Sequence, residues 1–241
     1  MPNDMTKKFH FVGIGGAGMS AIAKILLEKG CTVTGSDLSR SEPVLRLEKL
    51  GAKIASGHDA GNVDDVDIVI RSTAIADDNP EIMAAREKGL RIIHRADMLA
   101  SLMNESQGIA VAGAHGKTTT TSLIALMLEK AGVDPTVVIG GDLDYFGGNA
   151  KLGRGGYLVA EADESDASFL KFAPHIAVVT NIENDHMDHY GTMENILKAF
   201  SVFLDRLPKE SGLAVLCFDS DNVRDIAANL ERKFVSYAID N

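Results

Sequence analysis

The sequence predicts an α/β protein: a Rossmann-like parallel-sheet unit, then an incomplete P-loop-type α/β ATPase unit. Short apolar runs alternate with helical stretches along the chain, and two glycine loops each stand between a strand and a helix. The length of 241 residues suits one large or two medium domains, and 45% hydrophobic with 24% charged residues is an ordinary globular composition.

The first unit is expected over residues 1–105. Residues 9–14 read as a buried strand, 17–29 as a helix, 32–37 as a second strand, and 43–50 as a helix with Val44, Leu47 and Leu50 spaced to share a face. A strand over 68–72, a helix opening near Asn79-Pro80-Glu81 and a strand over 90–93 complete it. The polar stretch 103–107 marks the boundary. The second unit, 106–241, is expected to hold a strand over 108–112 and a helix over 118–130 closed by Ala131-Gly132. Strands over 136–139, 156–160 and 176–180, a helix over 193–207, and strands over 213–218 and 234–238 follow. The last strand nearly coincides with the end of the chain, so the second sheet is expected to be truncated.

A net charge of −10 argues against a broad nucleic-acid footprint, which needs a positive face, but not against a phosphate-bearing small ligand. No apolar run reaches the roughly 20 residues of a membrane span. The polar start, residues 1–8, does not read as a signal peptide, and Cys31 and Cys217 form no disulfide or metal signature. A cytoplasmic protein without nucleic-acid partner or membrane insertion is the expectation.

Gly13-Ile14-Gly15-Gly16-Ala17-Gly18 fits the G-x-G-x-x-G template, and Asp37 ends the next strand about 20 residues on, where such folds place a ribose-binding acid. A loop of this kind takes any diphosphate-linked nucleoside, NAD or FAD as well as a UDP-sugar. The second loop, Gly113-Ala114-His115-Gly116-Lys117-Thr118, is shorter than the standard phosphate loop but keeps its working parts. Backbone amides cradle phosphates, Lys117 reaches the β- and γ-phosphates, and the Thr118 hydroxyl takes Mg²⁺, with Thr119 in the same helical turn. ATP binding is the stronger reading of the pair. A nucleotide-bound Mg²⁺ commonly needs a second anchor on a neighbouring strand end. The acids at 161–166 offer one, Glu161 being best placed and Glu164 second, while the others serve as a solvated loop. His186, after a further strand, is a candidate second metal ligand or an exposed histidine.

Taken together, the two loops resemble the Mur ligases of peptidoglycan synthesis. The resemblance also runs through Ser72-Thr73-Ala74-Ile75, Asp78-Asn79-Pro80-Glu81, 95–100, Val138-Ile139-Gly140-Gly141, 161–170 and 181–190. Ala114 departs from the family, which usually has threonine there. The resemblance implies an ATP- and Mg²⁺-dependent ligase that joins L-alanine to the muramic acid carboxylate of UDP-N-acetylmuramate through an acyl phosphate. It implies that Gly15, Gly16, Ala17, Gly18, Met19, Ser20, Asp37 and Ser72 bind the UDP-sugar. It implies further that residues 113–119 bind ATP, that Thr118, Glu161 and His186 hold metal, and that Lys117, Glu161 and His186 carry catalysis. His115 approaches the substrate carboxylate or serves the loop's structure. Residues 165–170 and 187–190 resemble the alanine-adding members more than the recycling enzymes that join a tripeptide to the same sugar. A NAD-dependent oxidoreductase is the other alternative, and it leaves the second loop unexplained. The family's third, C-terminal domain has no counterpart in this sequence, so the 241 residues are expected to be inactive alone.

Overall fold

A computed structural model describes residues 6–239. The chain divides into two compact units, one of residues 1–101 with 138–152, the other of 102–137 with 153–241. No helix among the described residues is long and apolar enough to cross a membrane.

The first unit contains β1 (Lys8–Val12), α1 (Ala17–Glu28), β2 (Thr32–Asp37), α2 (Glu42–Lys49), β3 (Lys53–Ser56), β4 (Ile68–Arg71), α3 (Pro80–Glu87), β5 (Arg91–His94) and most of α4 (Arg95–Asn104). Its sheet runs β3-β2-β1-β4-β5 with every pairing parallel. Parallel strands are covered on both faces, hence the continuous burial of Phe9, Phe11 and Val12 in β1 and Ile68, Val69 and Ile70 in β4. Helix α3 starts where its sequence says it should: the Asn79 side chain accepts the Glu81 amide at 2.9 Å and Pro80 occupies the first helical position. The chain leaves β1 toward β2 on one side and returns to β4 on the other. The carboxyl ends of β1 and β4 therefore flank the crevice in which such sheets bind ligands.

The second unit holds β6 (Gln107–Ala112), α5 (Lys117–Lys130), the start of β7 (Thr136–Leu143), β9 (Tyr157–Glu161), β10 (Ile176–Val179), α6 (Met187–Tyr190), α7 (Met193–Asp205), β11 (Leu213–Cys217), α8 (Asp221–Ala227) and β12 (Phe234–Tyr237); β8 (Gly148–Lys151) belongs with the first unit. The strand order is β12-β11-β10-β6-β9-β7-β8, and β9, β6, β10, β11 and β12 pair in parallel. Central β6 is bordered by β9 and β10. Whatever follows those two strands is thus delivered to either side of the loop that follows β6. Phe169, Phe200 and Phe203 pack ring to ring beneath this edge, with centroids 5.1 and 5.2 Å apart, and fix α7 against the turn after β9.

The expected helices and strands occur within a few residues of their predicted bounds. Strands β3 and β8 and helices α4, α6 and α8 went unpredicted. Lys-Ile-Ala-Ser and Gly-Asn-Ala-Lys are short and poor in β-branched residues, so their strand state comes from their neighbours.

Candidate active site

The first loop is a tight turn held from beneath. Gly13, at φ 75°, and Ile14 both donate amides to the Ser36 carbonyl, at 2.9 and 3.0 Å. The Gly15 amide donates to Asp37 Oδ2 at 2.8 Å, and Asp37 Oδ1 accepts the Ser39 amide at 3.0 Å. A Cβ on Gly15 would lie 2.9 Å from both Asp37 Oδ2 and Ser41 Oγ, so glycine permits the carboxylate's approach. Asp37 therefore braces the loop, and a carboxylate has acceptor capacity left for a hydroxyl. Ser72, at the carboxyl end of β4, opens the turn that brings Ile75 against Gly13. Gly16 precedes α1, whose first turn holds Ala17 and Gly18. Met19 and Ser20, expected to touch the sugar nucleotide, are 2% and 3% exposed, and the Ser20 hydroxyl donates to the Ala17 carbonyl. The guanidinium of Arg95 lies beside Gly18, where an added Cβ would meet it at 3.1 Å. No role for Arg95 had been read from the sequence.

Beneath this loop lies a charged cluster that also escaped the sequence reading. Glu81, fully buried, accepts hydrogen bonds from the Ser36 hydroxyl and from Asn62 Nδ2, each at 2.6 Å. His58 Nδ1 lies 3.1 Å away and His10 Nε2 3.5 Å away. Burial pushes the Glu81 carboxyl up, but the His10 ring beside it and hydrogen bonds from Ser36 and Asn62 outweigh it and bring the pKa down to about 2.

The second loop places its predicted parts together. Gly113 and Gly116 adopt left-handed φ values of 138° and 80°, and Gly116 caps α5. Lys117 curls back over the loop, its Nζ donating to the Gly113 carbonyl at 2.7 Å and to Glu164 Oε1 at 2.7 Å. Thr118 and Thr119 are exposed in the first turn of α5. His186 Nε2 lies 3.5 Å from Glu164 Oε1. Glu164, 3% exposed, is thus the acid that joins Lys117 to His186, while Glu161 closes β9 three residues earlier. The ring of His115 is exposed and lies 3.5 Å from Glu183. His186 and Ala167 are two of the three described non-glycine residues with left-handed φ, at 55° and 57°. Both segments that carry site side chains thus contain a sparsely populated backbone conformation, which the surrounding structure must hold in place. Tyr190 supports the acid turn: its hydroxyl donates to the Glu164 carbonyl at 2.6 Å, and burial, then the nearby Glu164, Asp166 and Asp163 charges, raises the phenol to about 12.

The donor set fits a divalent cation. Glu164 Oε2 is buried and accepts no hydrogen bond from any described residue, and the Thr118 hydroxyl is exposed at the same loop. No three His, Cys, Asp or Glu side chains among the described residues form a complete cage. Mg²⁺ needs none, since it keeps waters and phosphate oxygens in its coordination shell.

Each sheet carries a glycine loop after a central parallel strand, and the second loop has a lysine, a threonine and a buried acid around it, the arrangement of a phosphate-binding α/β fold. The chain belongs to the Mur ligase family: residues 8–107 match the family's catalytic domain and 111–241 its middle domain. It is 57% identical over 99% of its length to the UDP-N-acetylmuramate–L-alanine ligase of Pelotomaculum thermopropionicum and 58% identical over 96% to that of Desulforamulus reducens. It covers 51% and 50% of those proteins, and so spans about half the length of the curated relatives it matches. Among solved structures, the UDP-N-acetylmuramate–alanine ligase of Thermotoga maritima is 34% identical with a TM-score of 0.86, covering 98% of this chain and 53% of its own. The UDP-N-acetylmuramate:L-alanyl-γ-D-glutamyl-meso-diaminopimelate ligase of Neisseria meningitides is 30% identical with a TM-score of 0.87, covering 96% and 78%.

Proposed function

We propose that this chain is the sugar-nucleotide- and ATP-binding part of a cytoplasmic ligase that joins L-alanine to UDP-N-acetylmuramate in peptidoglycan synthesis. The observation that carries the chemistry is Lys117 held between the Gly113 carbonyl and Glu164 Oε1, with His186 Nε2 3.5 Å from the same oxygen. The choice of L-alanine over a tripeptide rests on relatives above 50% identity that bear the alanine ligase name.

In this reading the muramic acid carboxylate attacks the γ-phosphate of ATP. The alanine amine then displaces phosphate from the acyl phosphate, leaving an amide, ADP and phosphate. Both reactants are anionic, so the protein's task is to position them and offset charge. Lys117 leaves the loop carbonyl and follows the transferring phosphoryl group. Amides of the α5 first turn hold the phosphates. Thr118, Glu161, Glu164 and His186 would hold Mg²⁺, which supplies electrostatic stabilisation of the phosphoryl oxygens when bound. Residues 15–20 with Asp37 and Ser72 hold the UDP-sugar, chiefly through main-chain groups where Met19 and Ser20 are concerned.

The test is phosphate release by the full-length protein given ATP and UDP-N-acetylmuramate, with L-alanine or the tripeptide as acceptor. Alanine-dependent release is expected. Release only with the tripeptide would assign the recycling reaction, and release with neither would overturn the proposal.

A further inference from the structure

Thr180 and Asn181 follow β10, and neither has a part in the chemistry above. Both grip one residue of the nucleotide loop. The His115 amide donates to Asn181 Oδ1 at 2.9 Å, and the His115 carbonyl accepts from Asn181 Nδ2 at 2.9 Å and from the Thr180 hydroxyl at 2.7 Å. The Ala114 amide donates to the Asn181 carbonyl at 3.3 Å. Gly113 makes the approach possible. A Cβ there would overlap the Thr180 hydroxyl and lie 2.9 and 3.0 Å from the Asn181 backbone.

The consequence is a shortened cradle. The amides of Ala114 and His115 are spent inside the protein, where a longer phosphate loop would turn such amides toward its ligand. Thr120 is the first residue of α5 whose amide bonds back, to the Gly116 carbonyl at 3.0 Å. The amides of 116–119 precede it and have no acceptor within the helix, so they are the donors left for an anion. Asparagine suits the gripping position because one planar group offers both an acceptor and a donor, matching the amide and carbonyl of a single residue. Asn181 also lies five residues before His186 and anchors the base of the segment that carries the imidazole to Glu164.

We propose that Asn181 is a positioning residue for the nucleotide: by clamping the His115 main chain it selects the amides of 116–119 as the phosphate cradle and holds them in register with His186. The inference rests on reading the loop as the ATP site. Its test uses the full-length protein and two variants, Asn181→Ala and the isosteric Asn181→Asp, which keeps the acceptor, loses the donor and adds a negative charge. Repulsion of the nucleotide by that charge is separated from loss of the clamp by repeating the Mg·ADP titration at high salt. Mg·ADP binding is followed by calorimetry and the KM of each substrate by phosphate release. Both variants are expected to bind Mg·ADP at least tenfold more weakly and to raise the ATP KM by a similar factor. The KM values for UDP-N-acetylmuramate and L-alanine should stay within twofold. If Asn181→Ala does not fold, Asn181→Asp carries the test, since its shape is unchanged. Wild-type ATP KM in either folded variant, or a parallel rise in all three KM values, would overturn the clamp alone. Failure of the wild type to bind nucleotide would overturn the site reading and the clamp with it.

Discussion

The two glycine loops present the same kind of surface, backbone amides at a helix N-terminus, yet they are braced by different physics. The first rests on carboxylates: Gly15 on Asp37, and Gly13 and Ile14 on the Ser36 carbonyl, with the Ser36 hydroxyl bonded to buried Glu81. The second rests on the neutral Thr180–Asn181 clamp, and its Lys117–Glu164 ion pair lies where the ligand's charge is expected. The first loop's geometry is thus tied to the charge of Glu81 behind it. The second loop's geometry is tied to shape and main-chain pairing, and its charges are left for the ligand.

Lys117→Ala should break the symmetry most strongly. Removing one preorganised charge at the transferring group is expected to slow alanine-dependent phosphate release on the order of 10²–10³-fold. UDP-N-acetylmuramate affinity, measured by calorimetry, should stay within twofold; an equal loss of both would mean that the loops do not serve separate ligands.

Glu81→Gln tests the charged brace. The carboxyl's pKa of about 2 lies below its usual 4.5, so its stabilisation is complete above about pH 4.5 and is lost as pH falls toward 2. The substitution should cost about 3 kcal/mol at neutral pH. Urea unfolding should then show the wild-type and variant curves converging through that acid window, and a constant offset at all pH values would remove Glu81 as the cause.

The steric contrast predicts a further split. Gly113→Ala meets backbone and the Thr180 hydroxyl at a left-handed φ, and should destabilise by roughly 1–3 kcal/mol. Gly15→Ala meets only the ends of the Asp37, Ser41 and Val44 side chains, which can rotate away, and should cost less. Denaturant midpoints in the reverse order would contradict this account. The smallest effect belongs to Tyr190→Phe. Loss of the hydrogen bond to the Glu164 carbonyl should cost about 1 kcal/mol in thermal unfolding, and an unchanged midpoint would show that the acid turn holds without it.

Legibility in the sequence followed the range of the interaction. Strand β1, loop 13–18 and helix α1 form one contiguous signal, as do β6, loop 113–118 and α5, so both were readable. Asp37 was readable at its spacing, but its bond to Gly15 was not, because that contact requires β1 and β2 to be adjacent. Glu164 and Glu161 both stood in the acid run after β9. Only the turn through Ala167 shows that Glu164 is the acid reaching Lys117.

The sequence by itself determined two parallel-sheet units, each opening a helix with a glycine loop, and the lysine, threonine and acids that surround the second. Local spacing suffices for this, since strand, turn and helix are set by residues a few positions apart. The tertiary structure alone decided that Asn181 grips His115, that Glu81 sits under the first loop, and that residues 138–152 join the first unit. Each depends on groups tens of residues apart meeting at hydrogen-bond distance. Periodicity carries no information about such meetings, and only the order of strands in the sheets can supply it.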